Sequence, residues 1–404
     1  MTRHHVPTFM TGISLLFPIT LTTMAIVLLA PVVPQLMAEF SGVPNHEYLV
    51  PMVLTLPALC VAILCPFAGI LGDYFGRRRL LLASFVIYSV VGLAPVFLTD
   101  LTYILISRVG VGIAEALIYV LSTTMIGDYF KGETRDKWLA GQTAFASVSA
   151  LIFFNLGGFL GEFGWRTPFW VYASALVMFA MVWLFTWEPS GDAHPDDEAH
   201  EAPHNLSWAG FPWAKMAMIV AITIYGSVFF YTVQIQASSG LNELGMTSPS
   251  EAGFWTSVAS VGVPLGTFIY SRISRIGPSR LLLIEFTLLA IGFMLMGRSG
   301  NVTGFLVGCF INQLGAGMLL PTLLVWSMSI LSFEVRSRGT GFWQSSFALG
   351  QWLSPMVVTF AALRLNGLMS SFQVLSYMAA AGILVALLVG RTTKTGQDIP
   401  TARP

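Results

Sequence analysis

Long unbroken runs of apolar residues alternate with short polar turns along almost the whole chain. The runs lie near 9–33, 48–71, 79–98, 101–126, 138–161 and 167–187, and again near 213–237, 250–271, 279–297, 302–329, 339–362 and 368–390. A hydrocarbon core about 30 Å thick takes roughly 20 residues of helix to cross. The pattern therefore predicts twelve membrane-spanning helices. Barrel strands would alternate apolar and polar positions and would be about half as long. The first run follows the short basic segment "MTRHHVPTFM" and reaches Pro34 without a small-residue cleavage site. It reads as a retained first span rather than a signal peptide.

The polar gaps organise the rest. The longest, "EPSGDAHPDDEAHEAPHNLSWAG" (188–210), is Pro-rich and without hydrophobic period, which predicts a solvated tether. Its three histidines among acids make metal binding the minor alternative. The gap divides the chain into a six-helix half at 1–188, a linker at 189–211 and a second six-helix half at 212–404. A faint repeat supports the division: "GRRRLLL" (76–82) matches "GPSRLLL" (277–283) at an offset of 201, each opening a third span of its half. "RDKWLAGQ" (135–142) and "RSRGTGFWQ" (336–344) both enter a fifth span. Paired six-helix repeats are a transporter layout, so the expected fold is all-α and integral to the membrane, two pseudo-symmetric six-helix bundles.

Composition narrows the picture without changing it. Of 404 residues, 55% are hydrophobic and 10% charged, against about 25% charged in a soluble domain. The net charge is zero, which gives no basis for a nucleic-acid partner. With the N-terminus cytoplasmic, the inner segments hold sixteen of the twenty Lys and Arg, leaving Arg166, Arg298 and Arg364 outside and Arg108 within the fourth span. That asymmetry places both termini in the cytoplasm of a bacterial-type inner membrane. Cys60, Cys65 and Cys309 all sit inside apolar runs and read as small buried hydrophobes, not as a disulfide, zinc or redox motif.

The turn between the second and third spans carries the most specific signal, "GILGDYFGRRRLLL" (69–82). Gly76 permits a tight turn, and Asp73 can accept from Arg77 or from the N-terminus of a neighbouring helix. Gly69, Asp73, Gly76, Arg77 and Arg78 resemble the signature of the major facilitator superfamily at this place in the chain. The resemblance covers nearly the whole sequence. It implies a monomeric transporter of small molecules that works by alternating access, often with protons, and needs no cofactor. It also implies a latch in which Asp73 meets the start of the eleventh span near Gly339 and shuts the cytoplasmic side. The second-half copy has Ser274 where Asp73 would align, so the latch is expected on one side only.

Ionisable residues at membrane depth are functional candidates by default. Arg108 and Glu115 lie on the fourth span in "RVGVGIAEAL" (108–117), seven residues or about 10 Å apart along the axis and on similar faces. Both are candidates for proton coupling, and "RVGVG" resembles the family's fourth-helix motif. Glu115, near mid-span, is the acid expected to carry a proton or to face a cationic substrate; a structural Arg–Glu pair is the alternative. Glu285 on the ninth span lies near the cytoplasmic end and is expected to be interfacial. Candidates to line a substrate chamber are Asn155, Phe229, Tyr231, Gln234, Asn312, Gln313, Trp326 and Gln344.

Phe153 and Phe154 stand where the family's drug–proton antiporters have Gly-Pro before the retained Gly157 and Gly158. Pro355 is a kink candidate in the eleventh span. The spans are rich in Phe, Met and Trp and poor in charge. This chemistry suits export of an amphipathic or lipophilic compound by proton antiport. Uptake of a small organic acid with protons, its carboxylate held by Arg108, is the alternative reading. No nucleophile elbow, phosphate loop or His-rich metal motif lies in the spans, so an enzyme is not expected.

Overall fold

The computed structural model describes residues 6–188, 211–331, 333–365 and 367–394, and all its regular elements there are helices. The tether and its metal alternative, at 189–210, lie outside the described residues. Twelve helices are long and apolar enough to span a membrane. In the first half they are α1 (Phe9–Glu39), α2 (His46–Phe75), α3 (Arg77–Val96), α4 (Leu101–Tyr129), α5 (Gly132–Gly161) and α6 (Thr167–Phe185). The second half supplies α7 (Trp213–Glu243), α8 (Pro249–Ile276), α9 (Pro278–Arg298), α10 (Val302–Ser329), α11 (Gly339–Leu365) and α12 (Leu368–Gly390). Several overrun their apolar runs, α5 starting at Gly132 and α7 continuing to Glu243. Helix ends outside hydrocarbon hydrogen-bond to water, so polar residues extend a helix there without penalty.

Prolines shape the helices that matter for access. α1 breaks at Pro18 and passes through a 3₁₀ turn at Ala30–Val32, where Pro31 and Pro34 withhold their amides. α8 is interrupted at Val261, one turn before Pro264. In α10, Pro321 cannot pair with the Gly317 carbonyl, and Thr267 of α8 donates to that oxygen at 2.9 Å instead. Close small-residue packing of this kind is how membrane helices associate when water gives no hydrophobic drive.

Two separate apolar cores hold the bundle. One is built almost entirely from residues between Leu15 and Val182, the other from residues between Ile219 and Val389. The repeat seen in the sequence recurs in the backbone: Gly76 and Gly277, 201 positions apart, both take φ of 88°, a left-handed value that favours glycine. The halves pack through α5 on α8 and α2 on α11.

At the end away from the Arg77 turn, the two halves are pinned together. A Cβ on Gly158 of α5 would meet the Pro249 carbonyl oxygen at 2.5 Å, and one on Gly253 of α8 would strike the Phe154 carbonyl. Just beyond α5, Glu162 accepts from the Ser248 hydroxyl at 2.6 Å and the Ser250 amide at 2.9 Å, at the N-terminus of α8. Those two donors hold the exposed carboxyl below its ordinary 4.5. Thr359 of α11 donates to the Glu47 carbonyl of α2 at 3.3 Å on the same end.

This contact gives the far end a removable clasp. Because its carboxyl is depressed, the clasp is complete above pH 4.5 and is lost as pH falls through the lowered value. Glu162→Ala should raise labelling of an Ala252→Cys reporter by a membrane-impermeant maleimide about two- to fivefold at pH 7, the range an exposed contact can shift a population. Unchanged labelling would remove Glu162 from the closure.

Candidate functional site

Between the halves lies a central chamber of about 240 Å³. Glu115 opens onto it from α4, with Tyr119 one turn further along. Across the chamber stand Tyr231 and Gln234 of α7 and Gln344, Phe347 and Gln351 of α11. Phe154 of α5 and Phe230 of α7 complete apolar walls, and the Tyr231 ring packs against both Phe230 and Phe347, at 4.9 and 5.3 Å between centroids. The acid comes from the first half and the amides from the second. A ligand here would contact each half at once.

Glu115 is 5% exposed, and its Oε2 has no hydrogen-bond partner. Among the described residues no ion pair reaches it. The side-chain amides of Gln234 and Gln351, 9% and 7% exposed, have no hydrogen-bond partner among the described residues either. An isolated ionised acid in low dielectric is costly, whereas a carboxyl that holds a proton or faces a cation is not. The chamber therefore presents one exchangeable charge, three amides and a set of aromatic faces.

Arg108 does not share this chamber. It is fully buried, with its Nη2 donating to the Gly92 carbonyl at 3.2 Å. Its guanidinium lies over Tyr172 at 4.8 Å and Phe169 at 5.2 Å. Cation–π contact in a desolvated place is worth about 2 kcal/mol or more. Seven residues of helix carry Arg108 about 10 Å from Glu115 and into the seam with α3 and the start of α6. The expected common face holds for the backbone positions but not for the side chains, because Tyr172 and Phe169 draw the guanidinium outward. No structural Arg108–Glu115 ion pair forms.

The other expected lining residues divide cleanly. Tyr231, Gln234 and Gln344 face the chamber. Phe229 is fully buried in the second core against Phe286 and Phe293, and Trp326 belongs to the same core. Asn312 and Gln313 are fully buried between helices; the Gln313 amide reaches Asn312 Oδ1 at 3.4 Å and the Phe230 carbonyl at 3.5 Å. Asn155 sits on the exposed face of α5 and donates to Leu151 at 2.8 Å. Glu285 is not interfacial: it is fully buried, and Thr322 donates to it at 2.5 Å. α9 packs on both α10 and α12, so this third helix of its half is less peripheral than its position suggested.

Tyr119, Phe347 and Gln351 were not singled out by the sequence reading. A signal for them existed. Gln344, Phe347, Ala348 and Gln351 follow at i, i+3, i+4 and i+7, and Tyr119 is four residues after Glu115, so each set shares one helix face.

At the opposite, basic end the signature turn is clasped within the first half. Asp73 accepts from Arg77 Nε at 3.0 Å, and Arg77 also pairs with Asp128 at the end of α4. Arg78 donates to Thr186 at 3.2 Å and to the Trp183 carbonyl at 2.8 Å. Glu188 accepts from the Arg78 and Arg79 amides at 3.1 and 3.2 Å, which caps α3 from across the bundle. A Cβ on Gly76 would press on that carboxylate, while Gly69 has open space around it. Asp73 does not reach Gly339 here. Gly339 packs against Leu331 and Met216 of its own half. Among the described residues the latch contact is unmade.

The Major Facilitator Superfamily matches residues 15–247 of this chain. Multidrug resistance protein 2 of Bacillus subtilis (strain 168) is 27% identical over 325 residues, covering 77% of this chain and 78% of the relative. The 3-(3-hydroxy-phenyl)propionate transporter of Escherichia coli (strain K12) is 22% identical over 324 residues, covering 79% and 78%. Among solved structures, a bacterial homolog of the human lysosomal transporter Spinster, inward-facing and unoccupied, superposes with a TM-score of 0.76 at 18% identity, covering 96% of this chain and 98% of that one. That likeness speaks to the fold. The match over more than half the chain, with the twelve-helix architecture and its chamber, makes this protein a member of the Major Facilitator Superfamily, a membrane transporter of the drug and metabolite type and not an enzyme.

Proposed function

We propose that this transporter exports an amphipathic or lipophilic small molecule in exchange for protons, by alternating access. The observation that carries the reading is Glu115, a carboxyl facing the central chamber with no ion pair to it among the described residues. Protonated, it is neutral and tolerable in an empty chamber. A cationic or strongly donating ligand displaces the proton and takes its place against the carboxylate. Gln234, Gln344 and Gln351 orient polar groups of the ligand, and Tyr231, Phe230 and Phe347 receive its apolar body. The relative named for multidrug resistance supports the efflux direction.

Inverting the halves releases the ligand and recharges the acid from the other side. The signature turn would supply the inner latch when the basic end closes, with Asp73 freed from Arg77 and set against α11 near Gly339. The surplus of Lys and Arg, sixteen of twenty on one side, supports an inner-membrane orientation with both termini in the cytoplasm. The protein is expected to work as a monomer, since each chain encloses its own chamber.

Proton-coupled uptake of an organic acid is the second reading, favoured by the likeness to the 3-(3-hydroxy-phenyl)propionate transporter. It loses its carboxylate-binding group here, because Arg108 points away from the chamber into Tyr172 and Phe169.

In proteoliposomes with an imposed pH gradient, Glu115→Gln should cut gradient-driven ethidium export at least about tenfold, the scale of losing one charge-assisted contact, while exchange of ethidium across the membrane at equal pH persists. Full gradient-driven flux in the variant would take Glu115 out of coupling. Arg108→Ala should lower thermal stability by about 3 kcal/mol or more through lost packing and cation–π contact, with the apparent KM of the surviving protein unchanged. A large rise in KM at retained stability would instead restore Arg108 to the ligand and favour uptake of an acid.

A further inference from the structure

The far end holds a second cavity, larger than the chamber, of about 500 Å³. It opens where α1 and α2 of the first half face α7, α11 and α12 of the second. Its walls are apolar on most sides, formed by Val33, Met37, Val358, Leu363 and Leu368. Two carboxylates enter it, Glu47 at the start of α2 and Glu243 at the end of α7, and no Lys or Arg lines it.

The charges around it leave the cavity negative. His46 lies 3.5 Å from Glu47 and is the one titratable base beside it among the described ion pairs. Arg364 is close in sequence to the lining residues of α11, but its guanidinium lies 5.4 Å over the outward-facing Phe360 ring. Glu243, the last residue of α7, lines the cavity beside Leu368, the first residue of α12. That leaves Glu47 and Glu243 on opposite halves, facing one space.

A separate observation points to a ligand. Gln236 of α7 is only 6% exposed and lines this cavity, and among the described residues its side chain has no hydrogen-bond partner. A buried amide usually finds partners on both its oxygen and its nitrogen, and leaving them idle is costly. Ser239, Asn242 and Thr359 add polar atoms on the same side as Gln236. Each half thus offers one carboxylate and apolar carbon, the first half adding the polarisable Met37 sulfur and the second the uncharged polar groups.

We infer that this vestibule is a binding site for an organic cation with an apolar body, distinct from the central chamber. The positive head lies between Glu47 and Glu243 with Gln236 accepting from it, and the body rests on Met37, Val33 and Leu368. Pro51 of the vestibule and Ala58 of the chamber are seven residues apart on α2, about 10 Å along the helix, so the two sites are neighbours and do not coincide. Because both halves supply its walls, an occupant bridges them and favours the closed far end. The site depends neither on the direction of transport nor on Glu115.

Equilibrium dialysis of radiolabelled tetraphenylphosphonium against the purified full-length protein tests it. A class of site present in the wild type should survive Glu115→Gln, and its affinity should fall at least about tenfold in the Glu47→Gln, Glu243→Gln double variant. Met37→Trp, which keeps both carboxylates and fills the apolar wall, should weaken the same class. Uncharged triphenylphosphine oxide should compete at least about tenfold less well. If Glu115→Gln proves indistinguishable from wild type while the double variant loses binding, the central cation reading fails and the vestibule stands. Binding unaltered in the double variant, abolished by Glu115→Gln alone, matched by the neutral analogue, or absent from the wild type overturns the inference.

Discussion

A charge inside a bilayer must be matched by protein groups or must reach a water-filled space, and this protein uses both solutions on one helix. Arg108 is enclosed: two aromatic rings lie against its guanidinium and the Gly92 carbonyl accepts from Nη2, while Nε and Nη1 have no hydrogen-bond partner among the described residues. Glu115, two turns on, has no such company and opens onto the chamber. The division decides what the helix does. An enclosed cation stays put through any cycle, whereas an unmatched carboxyl responds to whatever enters beside it. The chemistry proposed for the chamber follows from where that one acid sits.

The two ends of the molecule are held by different means. Far from the arginine turn, glycines let the backbones of α5 and α8 touch, and Glu162 adds an exposed clasp on the N-terminus of α8. At the basic end the first half satisfies its own groups: Asp73 with Arg77, Arg77 with Asp128, Glu188 with the opening amides of α3. Exchanging the partners of Asp73 is a small local change, yet it lies where the halves would meet on closing. Alternating access needs such interchangeable contacts at both ends, since a permanent bond at either would arrest the rocking.

Much of this was legible in the sequence. The apolar runs located every span, because only helices satisfy the backbone in hydrocarbon and their length is set by its thickness. The glycine of the signature turn and its copy at Gly277 announced a repeat that the backbone angles bear out. Side-chain destinations were harder to read. Phe229 and Phe230 are adjacent residues of one core, yet only Phe230 also reaches the chamber, and a difference of about 100° about the helix is invisible without its rotation. Asn312 and Gln313 looked like ligands because polar residues in spans are rare, but Gln313 donates to the Phe230 carbonyl of α7 and Asn312 packs against Gly292 of α9. Where a helix face repeats its polarity, as in Gln344, Phe347 and Gln351, the pattern was available and points to the chamber.

The exchange of a proton for a ligand at Glu115 is the central claim, and proton release on binding is its most direct readout. Purified protein in weakly buffered detergent solution at neutral pH, titrated with ethidium and followed by a pH indicator, should release about one proton for each ligand bound in the central chamber, as competition for a single carboxyl requires. The Glu115→Gln protein should release none from that site. Equal release from both proteins, or ligand binding to wild type with no proton released, would contradict the account.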